Sequence, residues 1–160
     1  MSAIKKTGIK TTCFSVFLLL IFSSCNKKTG NIPVNTPDKI TFISVSDIGG
    51  SQGNYSIIKV TKDSVRLEKG IADLKIHKQW SAGISSRTWE QLMSSFDIRT
   101  LNKIKSSPSK QSVDGIDEIF QIRTTKNSHI YVNSYIDTIH YKQFENFKIK
   151  LNKILPKEYQ

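Results

Sequence analysis

The chain has 160 residues, with 24 lysine and arginine residues against 13 aspartate and glutamate residues, and a formal net charge of +11 at pH 7. This length is enough for one domain with a sizeable core. Twenty of the basic residues are lysines scattered along the chain, whereas arginine, which recognises phosphate with two parallel bonds, occurs four times. A basic chain favours anionic partners, but this distribution argues against nucleic acid as one of them.

The first 24 residues have the pattern of a secretory signal peptide. Three lysines precede an apolar segment at residues 13–22, and no acidic residue occurs before Cys25. The apolar segment is shorter than the roughly 20 residues that a membrane-spanning helix needs. A basic start, a short apolar segment and small residues before a cleavage point are typical of an exported protein.

The segment Phe22-Ser23-Ser24-Cys25 resembles the lipobox of bacterial lipoproteins, with Phe22 where leucine is usual. The resemblance implies cleavage before Cys25 and attachment of lipid to its sulfur, which would anchor the protein to a membrane. Two or more acyl chains give stable anchoring where one does not. Two alternatives stay open: a cleaved signal with Cys25 as an ordinary thiol, and an uncleaved membrane anchor.

Removal of residues 1–24 leaves a chain with a net charge of 21 − 13 = +8 and Cys25 as its sole cysteine, so we expect no disulfide. Residues 26–39 are mostly polar and hold two prolines and one glycine, which is typical of a flexible linker. The expected organisation is a signal peptide at 1–24, a tether at 25–39 and one domain at 40–160.

The first part of that domain has the alternating, β-branched pattern of strands. The glycine-rich segment 47–54 is predicted as a loop. Its glycines superficially resemble those of a phosphate-binding loop. A phosphate-binding loop is followed by a helix, however, whereas a strand is predicted after this segment. The favoured interpretation is that the glycines make this loop flexible. The alternative is that the loop binds a ligand. The predicted strands are residues 40–46, 55–60, 64–68 and 76–80.

The pattern then changes to that of a helix. Thr88 followed by Gln91 predicts a capping box at the start of a helix over residues 88–96. Further apolar residues up to residue 104 predict a short turn or a strand edge. The residues with the spacing of one helix face are Trp89, Leu92, Met93 and Phe96.

The pattern of the last third of the chain predicts a β-hairpin formed by residues 116–124 and 128–133. An amphipathic helix that ends at Pro156 is predicted after it. The order of strands, helix, hairpin and helix indicates an α+β fold: an antiparallel sheet built from hairpins, with two amphipathic helices on one face. The apolar residues of the last helix are interpreted as core, with partner docking as the alternative. They are Tyr141, Phe144, Phe147, Leu151, Ile154 and Leu155.

The region after residue 25 is similar to small lipoproteins of Bacteroidota whose roles are uncharacterised. That resemblance implies an envelope lipoprotein without a known activity. Surface-exported lipoproteins of that group carry acidic residues after the cysteine, whereas Asn26-Lys27-Lys28 is basic, which favours an outer-membrane anchor facing the periplasm. The residues that carry the resemblance are Gly49, Gly50, Gly53, Tyr55, Trp89, Asp114 and Gly115.

Residues suited to chemistry are few and scattered. His77, His129 and His140 lack the spacing of a metal site. The acidic residues near Gly115 are Asp114, Asp117 and Glu118, and Asp114-Gly115 is interpreted as a turn. We therefore expect no catalytic, cofactor-binding or metal-binding residues, and the one predicted site residue is Cys25.

Two functions follow as hypotheses. The first is a membrane-anchored binding module that holds a protein or another ligand in the envelope, through a sheet edge or the glycine-rich loop. The second is an inhibitor or immunity-type lipoprotein that blocks an envelope enzyme or toxin. A hydrolase is the least favoured alternative. The segment Gly49-Gly50-Ser51-Gln52-Gly53 has the G-x-S-x-G spacing, but a predicted strand follows it, whereas the catalytic motif leads into a helix.

Overall fold

The computed structural model describes residues 37–159. The predicted signal peptide, the lipobox with Cys25 and most of the predicted tether lie outside the described residues. The described residues belong to one compact unit. Their strands are β1 (Ile40–Gly49), β2 (Asn54–Thr61), β3 (Ser64–Ile71), β4 (Ile76–Gly83), β5 (Ile116–Thr124) and β6 (Ser128–Val132), and their helices are α1 (Ser86–Met93) and α2 (Lys142–Asn152).

The six strands form one antiparallel sheet in the order β4-β3-β2-β1-β5-β6. The first four strands are a meander of hairpins. The chain then crosses the sheet through α1, and β5 pairs with the free side of β1. The first strand of the domain is therefore central. Short 3-10 helices at Ile98–Lys103, Gln111–Val113, Ser134–Ile136 and Lys157–Tyr159 connect or follow these elements.

The hydrophobic core lies between one face of the sheet and the two helices. Alternate residues of each strand face the same side, and on this side the central strands place fully buried aliphatic and aromatic residues. The ring of Phe120 stacks on that of Phe144 in α2, with centroids 4.1 Å apart. The α+β prediction, with both helices on one face, is confirmed. The core includes Ile43, Val60, Leu67, Phe120, Ile122, Trp89, Leu92, Phe144, Phe147 and Leu151.

Several predicted boundaries are wrong. β3 and β4 each extend three residues beyond their predicted ends, and α1 ends at Met93 rather than at residue 96. The helix predicted to start with a capping box at Thr88 begins one turn earlier, because the hydroxyl of Ser85 accepts the bond from the Thr88 amide at 3.1 Å. β1 continues through Asp47 to Gly49, where a loop is predicted, because both neighbouring strands pair with it there. α2 ends at Asn152, although Leu155 beyond it is still buried in the core.

Candidate functional site

A groove of about 340 Å³ lies at one end of the helix-bearing face of the sheet. Its lining comes from strands β1 to β5, and neither helix contributes to it. The volume is within the range of about 300–1,000 Å³ that ligand-binding pockets occupy. The residues that define it here are Asp47, Asn54, Ser56, Lys69, Ile71, Ile76, Lys78 and Ile116.

The strand register places these residues in two rows across the sheet. In the first row, Asp47 of β1 pairs with Ser56 of β2, Ser56 with Lys69 of β3, and Lys69 with Lys78 of β4. Asp47 is two residues beyond the buried Val45, so this row shares the face of the core. The row is therefore a polar continuation of the hydrophobic face, at the end that the helices leave open.

The second row is mostly apolar and lies one step further from the core. Ile76, Ile71, Asn54, Gly49 and Ile116 are consecutive cross-strand partners in it. Ile76 is 43% exposed and Ile116 is 52% exposed, although both are large aliphatic residues. The groove thus combines exposed apolar side chains with one carboxylate and two ammonium groups.

Asp47 is the acidic group of the groove. Within the described residues its carboxylate makes no hydrogen bond or ion pair. Partial burial raises the pKa of Asp47, and the carboxylate of Glu118 on the adjacent strand raises it further, while the positive charge of Lys148 opposes both effects. An unpartnered carboxylate in such surroundings gains from a cationic or hydrogen-bonding ligand.

Glu118 lies beside Asp47 but is fully engaged. The hydroxyl of Tyr141 donates to Glu118 Oε1 at 2.6 Å, and the ammonium of Lys148 contacts Glu118 Oε2 and the Tyr141 oxygen. Burial and the Glu118 carboxylate raise the pKa of Tyr141 to about 12. Burial alone would lower the pKa of Lys148, but its bonds to Glu118 and Tyr141 outweigh that effect and raise it. This network ties α2 to the sheet beside the groove.

The two lysines of the groove differ in their engagement. Lys69 donates to the carbonyl of Glu158 at 2.9 Å, and its ammonium lies 4.7 Å from the centre of the Tyr159 ring. Lys78 is exposed, and its ammonium makes no hydrogen bond or ion pair within the described residues. Lys78 is therefore the cation available to a ligand.

Two residues of the glycine-rich segment line the groove, Asp47 at the end of β1 and Asn54 at the start of β2, whereas the loop between these strands, residues 50–53, contributes none. The loop is held on both sides, by a bond of 3.2 Å from the Gly50 amide to the carbonyl of Gly115 and one of 3.1 Å from the Ala72 amide to the carbonyl of Gly53. A side chain at position 49 would lie 2.2 Å from the Gly115 carbonyl oxygen, so this close approach requires glycine. The loop buttresses the groove rather than forming it.

The acidic residues near Gly115 have separate structural roles. Asp114 adopts a left-handed conformation, with φ of 56°, which confirms the predicted turn. Asp117 is 2% exposed and accepts bonds from Ser109 Oγ at 2.5 Å, from the Lys110 amide at 2.7 Å and from Asn133 Nδ2 at 2.7 Å. The bonds from Lys110 and Ser109 hold the pKa of Asp117 below its usual range.

The histidines lie apart in the structure. His77 Nδ1 is 2.8 Å from the hydroxyl of Tyr55, and His140 contacts the carboxylate of Asp137. His129 stacks beside Tyr131 at a centroid distance of 6.1 Å. In residues 37–159, no three histidine, cysteine, aspartate or glutamate side chains are grouped so that they could hold a metal ion.

Within the same range, no helix reaches both the length and the apolarity that a bilayer crossing requires. No protein-family model matches the sequence. No curated protein matches it at a significant level.

Sequence reasoning did not identify Asp47, Ser56, Lys69 or Lys78 as site residues. The available signal was the alternation of Ile43, Val45 and Asp47, which places the aspartate on the buried face if the strand continues. The neighbouring glycines instead predict a loop that includes Asp47, and this prediction hides the alternation. No local sequence pattern identifies Lys69 and Lys78 as site residues, because their place in the polar row depends on the register of two hairpins.

Proposed function

We propose that this protein is a lipid-anchored binding module of the bacterial cell envelope and that its ligand occupies the groove. The observation that carries this proposal is that one concave site combines exposed isoleucines with a carboxylate and an ammonium group that have no partner among residues 37–159. Concave, largely apolar sites with a few converging polar groups are the usual form of ligand pockets. We propose no enzymatic activity and no nucleic-acid partner.

In this proposal the lipid on Cys25 anchors the protein, and the membrane is the partner that the lipid binds. The lipobox-like segment at residues 22–25 and the polar linker that follows support this part of the proposal. At most about 3.3 Å per residue, the 14 residues 26–39 reach up to about 46 Å from the membrane. The basic residues after Cys25 support an outer-membrane location facing the periplasm.

Binding is favoured over catalysis by the groups in the groove. Ser56 is the hydroxyl-bearing side chain on its polar row, and within the described residues it has no hydrogen bond to a base. A serine nucleophile needs a base within hydrogen-bonding reach. The groove is therefore better suited to holding a ligand than to transforming one.

The alternative function is inhibition of an envelope enzyme or toxin, and the free edge of the sheet favours it. β4 pairs on one side only, and most of its residues are exposed. The strand at the opposite edge, β6, is partly covered by the preceding loop. The Ser107 amide donates to the carbonyl of Val132, and the Val132 amide donates to the hydroxyl of Ser106. A strand of another protein can add to the edge of β4.

Anchoring is tested by the intact mass of the protein extracted from membranes, compared with Cys25→Ala. We expect a mature species that begins at residue 25 and carries added acyl mass, and we expect both features to be lost in the variant. An unmodified or uncleaved wild-type chain would refute the anchor.

Ligand binding in the groove is tested with the low-molecular-mass fraction of a bacterial envelope extract. We expect this fraction to raise the melting temperature of the wild type but not that of Ser56→Phe, whose ring fills the polar row. Ser128→Phe, at an exposed position of β6, is the matched control and should respond like the wild type. An equal response of all three proteins, or none, would refute a ligand in the groove.

A further inference from the structure

We infer that the ligand of the groove is a short peptide of two or three residues with free amino and carboxyl ends and apolar side chains. This inference rests on the proposed function and names the ligand class of the same site. It assigns the amino end to Asp47, the carboxyl end to Lys78 and the side chains to the isoleucines between them.

The charges of the groove are complementary to a zwitterion. Asp47 and Lys78 stand at opposite ends of the polar row, and neither has a partner within the described residues. Lys69 lies between them, but its ammonium is held by the carbonyl of Glu158. A ligand with one charge alone would leave either the carboxylate or the free ammonium of the groove unmatched.

The spacing fits a peptide of this length. Asp47 and Lys78 are three strands apart, and neighbouring strands are about 4.8 Å apart, so their Cα atoms are roughly 14 Å apart across the sheet. Both side chains line the groove and shorten the gap between the charged groups. An extended peptide of two or three residues spans roughly 7–11 Å, which fits that gap better than a single amino acid does.

The remaining lining supplies the other contacts that a peptide needs. Ile71, Ile76 and Ile116 offer aliphatic surface to its side chains. Asn54 and Ser56 offer side-chain donors and acceptors to its amide groups, and no hydrogen bond within the described residues occupies them. The groove would therefore contact both termini of the peptide as well as its side chains and amide groups.

The surroundings of Asp47 make binding dependent on pH. Because partial burial and Glu118 raise the pKa of Asp47, more of this carboxyl is protonated in mildly acidic solution than for an exposed aspartate. A protonated carboxyl does not attract an ammonium group. The affinity for a peptide with a free amino end should therefore fall as the pH is lowered through the pKa of Asp47. Glu118 and Lys148, which also face Asp47, are already paired with each other.

The experiment uses the tripeptide alanyl-isoleucyl-alanine and two derivatives, one acetylated at the amino end and one amidated at the carboxyl end. Titration calorimetry on the detergent-extracted protein should give about tenfold or more weaker binding for each derivative, the loss typical of a hydrogen bond to a charged group. Asp47→Asn should bind the free and the acetylated peptide equally, and Lys78→Gln should do so for the free and the amidated peptide. Lys62→Gln, in the exposed turn between β2 and β3, should behave as the wild type.

Equal affinity for the three peptides, or no binding of any of them, would overturn the inference. The extract experiment with Ser56→Phe separates this failure from that of the proposed function. If the extract stabilises the wild type but not Ser56→Phe, the groove binds a ligand of another class. If the extract also has no effect, the proposed function fails with the inference. Cooperative thermal unfolding of the unliganded variants, with melting temperatures no lower than that of the wild type, would show that they are folded.

Discussion

Asp47 and Glu118 lie directly opposite each other on the antiparallel strands β1 and β5, on the face that carries the helices. Two carboxylates in such a cross-strand position repel each other. Tyr141 and Lys148 bind Glu118, whereas Asp47 has no partner within the described residues. Partial burial, and then the nearby Glu118 carboxylate, raise the pKa of Asp47.

Asp47→Asn should stabilise the protein at neutral pH. The pKa of Asp47 is raised in the folded state, so the wild type loses stability as the pH rises from the unfolded value of 3.8 through the folded pKa. Asp47 is exposed enough for solvent to screen its charge, so removal of the charge should recover only roughly 0.2–0.5 kcal/mol at pH 7, the low end of a cross-strand charge effect. Urea unfolding at pH 7 measures this gain, which should vanish below pH 3.8.

The matched control for this substitution is Asp73→Asn, in the exposed turn between β3 and β4. It should leave the free energy of unfolding at pH 7 within experimental error of the wild type. A loss of stability in Asp47→Asn at pH 7 would show that the carboxylate is favourable in the folded state, contrary to this argument.

Tyr141→Phe tests the network that joins α2 to the sheet. The substitution removes the hydroxyl that donates to Glu118 and accepts from Lys148, while the ring that packs in the core is retained. We expect a loss of about 1.5–3 kcal/mol in the free energy of unfolding, the usual contribution of a hydrogen bond to a charged group. Tyr135→Phe, at a tyrosine that is 38% exposed, should change it far less. Equal effects of the two substitutions would contradict a role for the Tyr141 hydroxyl.

Much of the sheet could be predicted because its signals are local. β2, β3 and β5 have alternating β-branched residues, and short polar turns separate them from their hairpin partners. The end of β1 could not be predicted, because Asp47 and Gly49 are poor strand formers. They are extended here because strands pair with them on both sides, which is a tertiary effect.

The groove depends on information that a single segment does not contain. Asp47, Ser56 and Lys78 belong to three strands, and only the register of the sheet places them in one row. Lys148 shows a second limit. A lysine on an amphipathic helix is expected to face solvent, but the Lys148 side chain is half-buried and paired with Glu118. The sequence of a helix is the same whether the ammonium of a lysine beside its apolar face extends into water or binds a carboxylate.

Asp117→Ala should release the loop between the 3-10 helix at Ile98–Lys103 and β5. Its carboxylate accepts three bonds, two of them from Ser109 and Lys110 in that loop and one from Asn133. Loss of the carboxylate leaves buried donors unsatisfied, so we expect a destabilisation of more than about 2 kcal/mol. We also expect faster trypsin cleavage after Lys110, measured by mass spectrometry under native conditions. Asp73→Ala is the control, and an unchanged cleavage rate in Asp117→Ala would refute the role of this cluster.

Gly70→Ala tests a contact on the opposite face of the sheet. The ring of Tyr55 lies across Gly70, and the Tyr55 hydroxyl reaches His77 Nδ1 at 2.8 Å on the far side. A Cβ at position 70 would lie 2.6 Å from that hydroxyl and 2.1 Å from the carbonyl oxygen of Ile76. Because one of the clashing atoms belongs to the backbone, rotation of a side chain cannot relieve the overlap.

We expect Gly70→Ala to lower the free energy of unfolding by about 1–3 kcal/mol, the usual cost of forcing an extra methyl group into a packed site. Gly83→Ala, in the neighbouring strand, is the matched control. Its Cβ would meet no atom closer than 3.8 Å, so the substitution should be neutral or slightly stabilising. Similar unfolding curves for the two variants would mean that the chain adjusts around position 70 and that the Tyr55 contact does not require glycine there. A large loss confined to Gly70→Ala would establish that the close approach of Tyr55 and of the Ile76 carbonyl requires glycine at position 70, next to Ile71 in the lining of the groove.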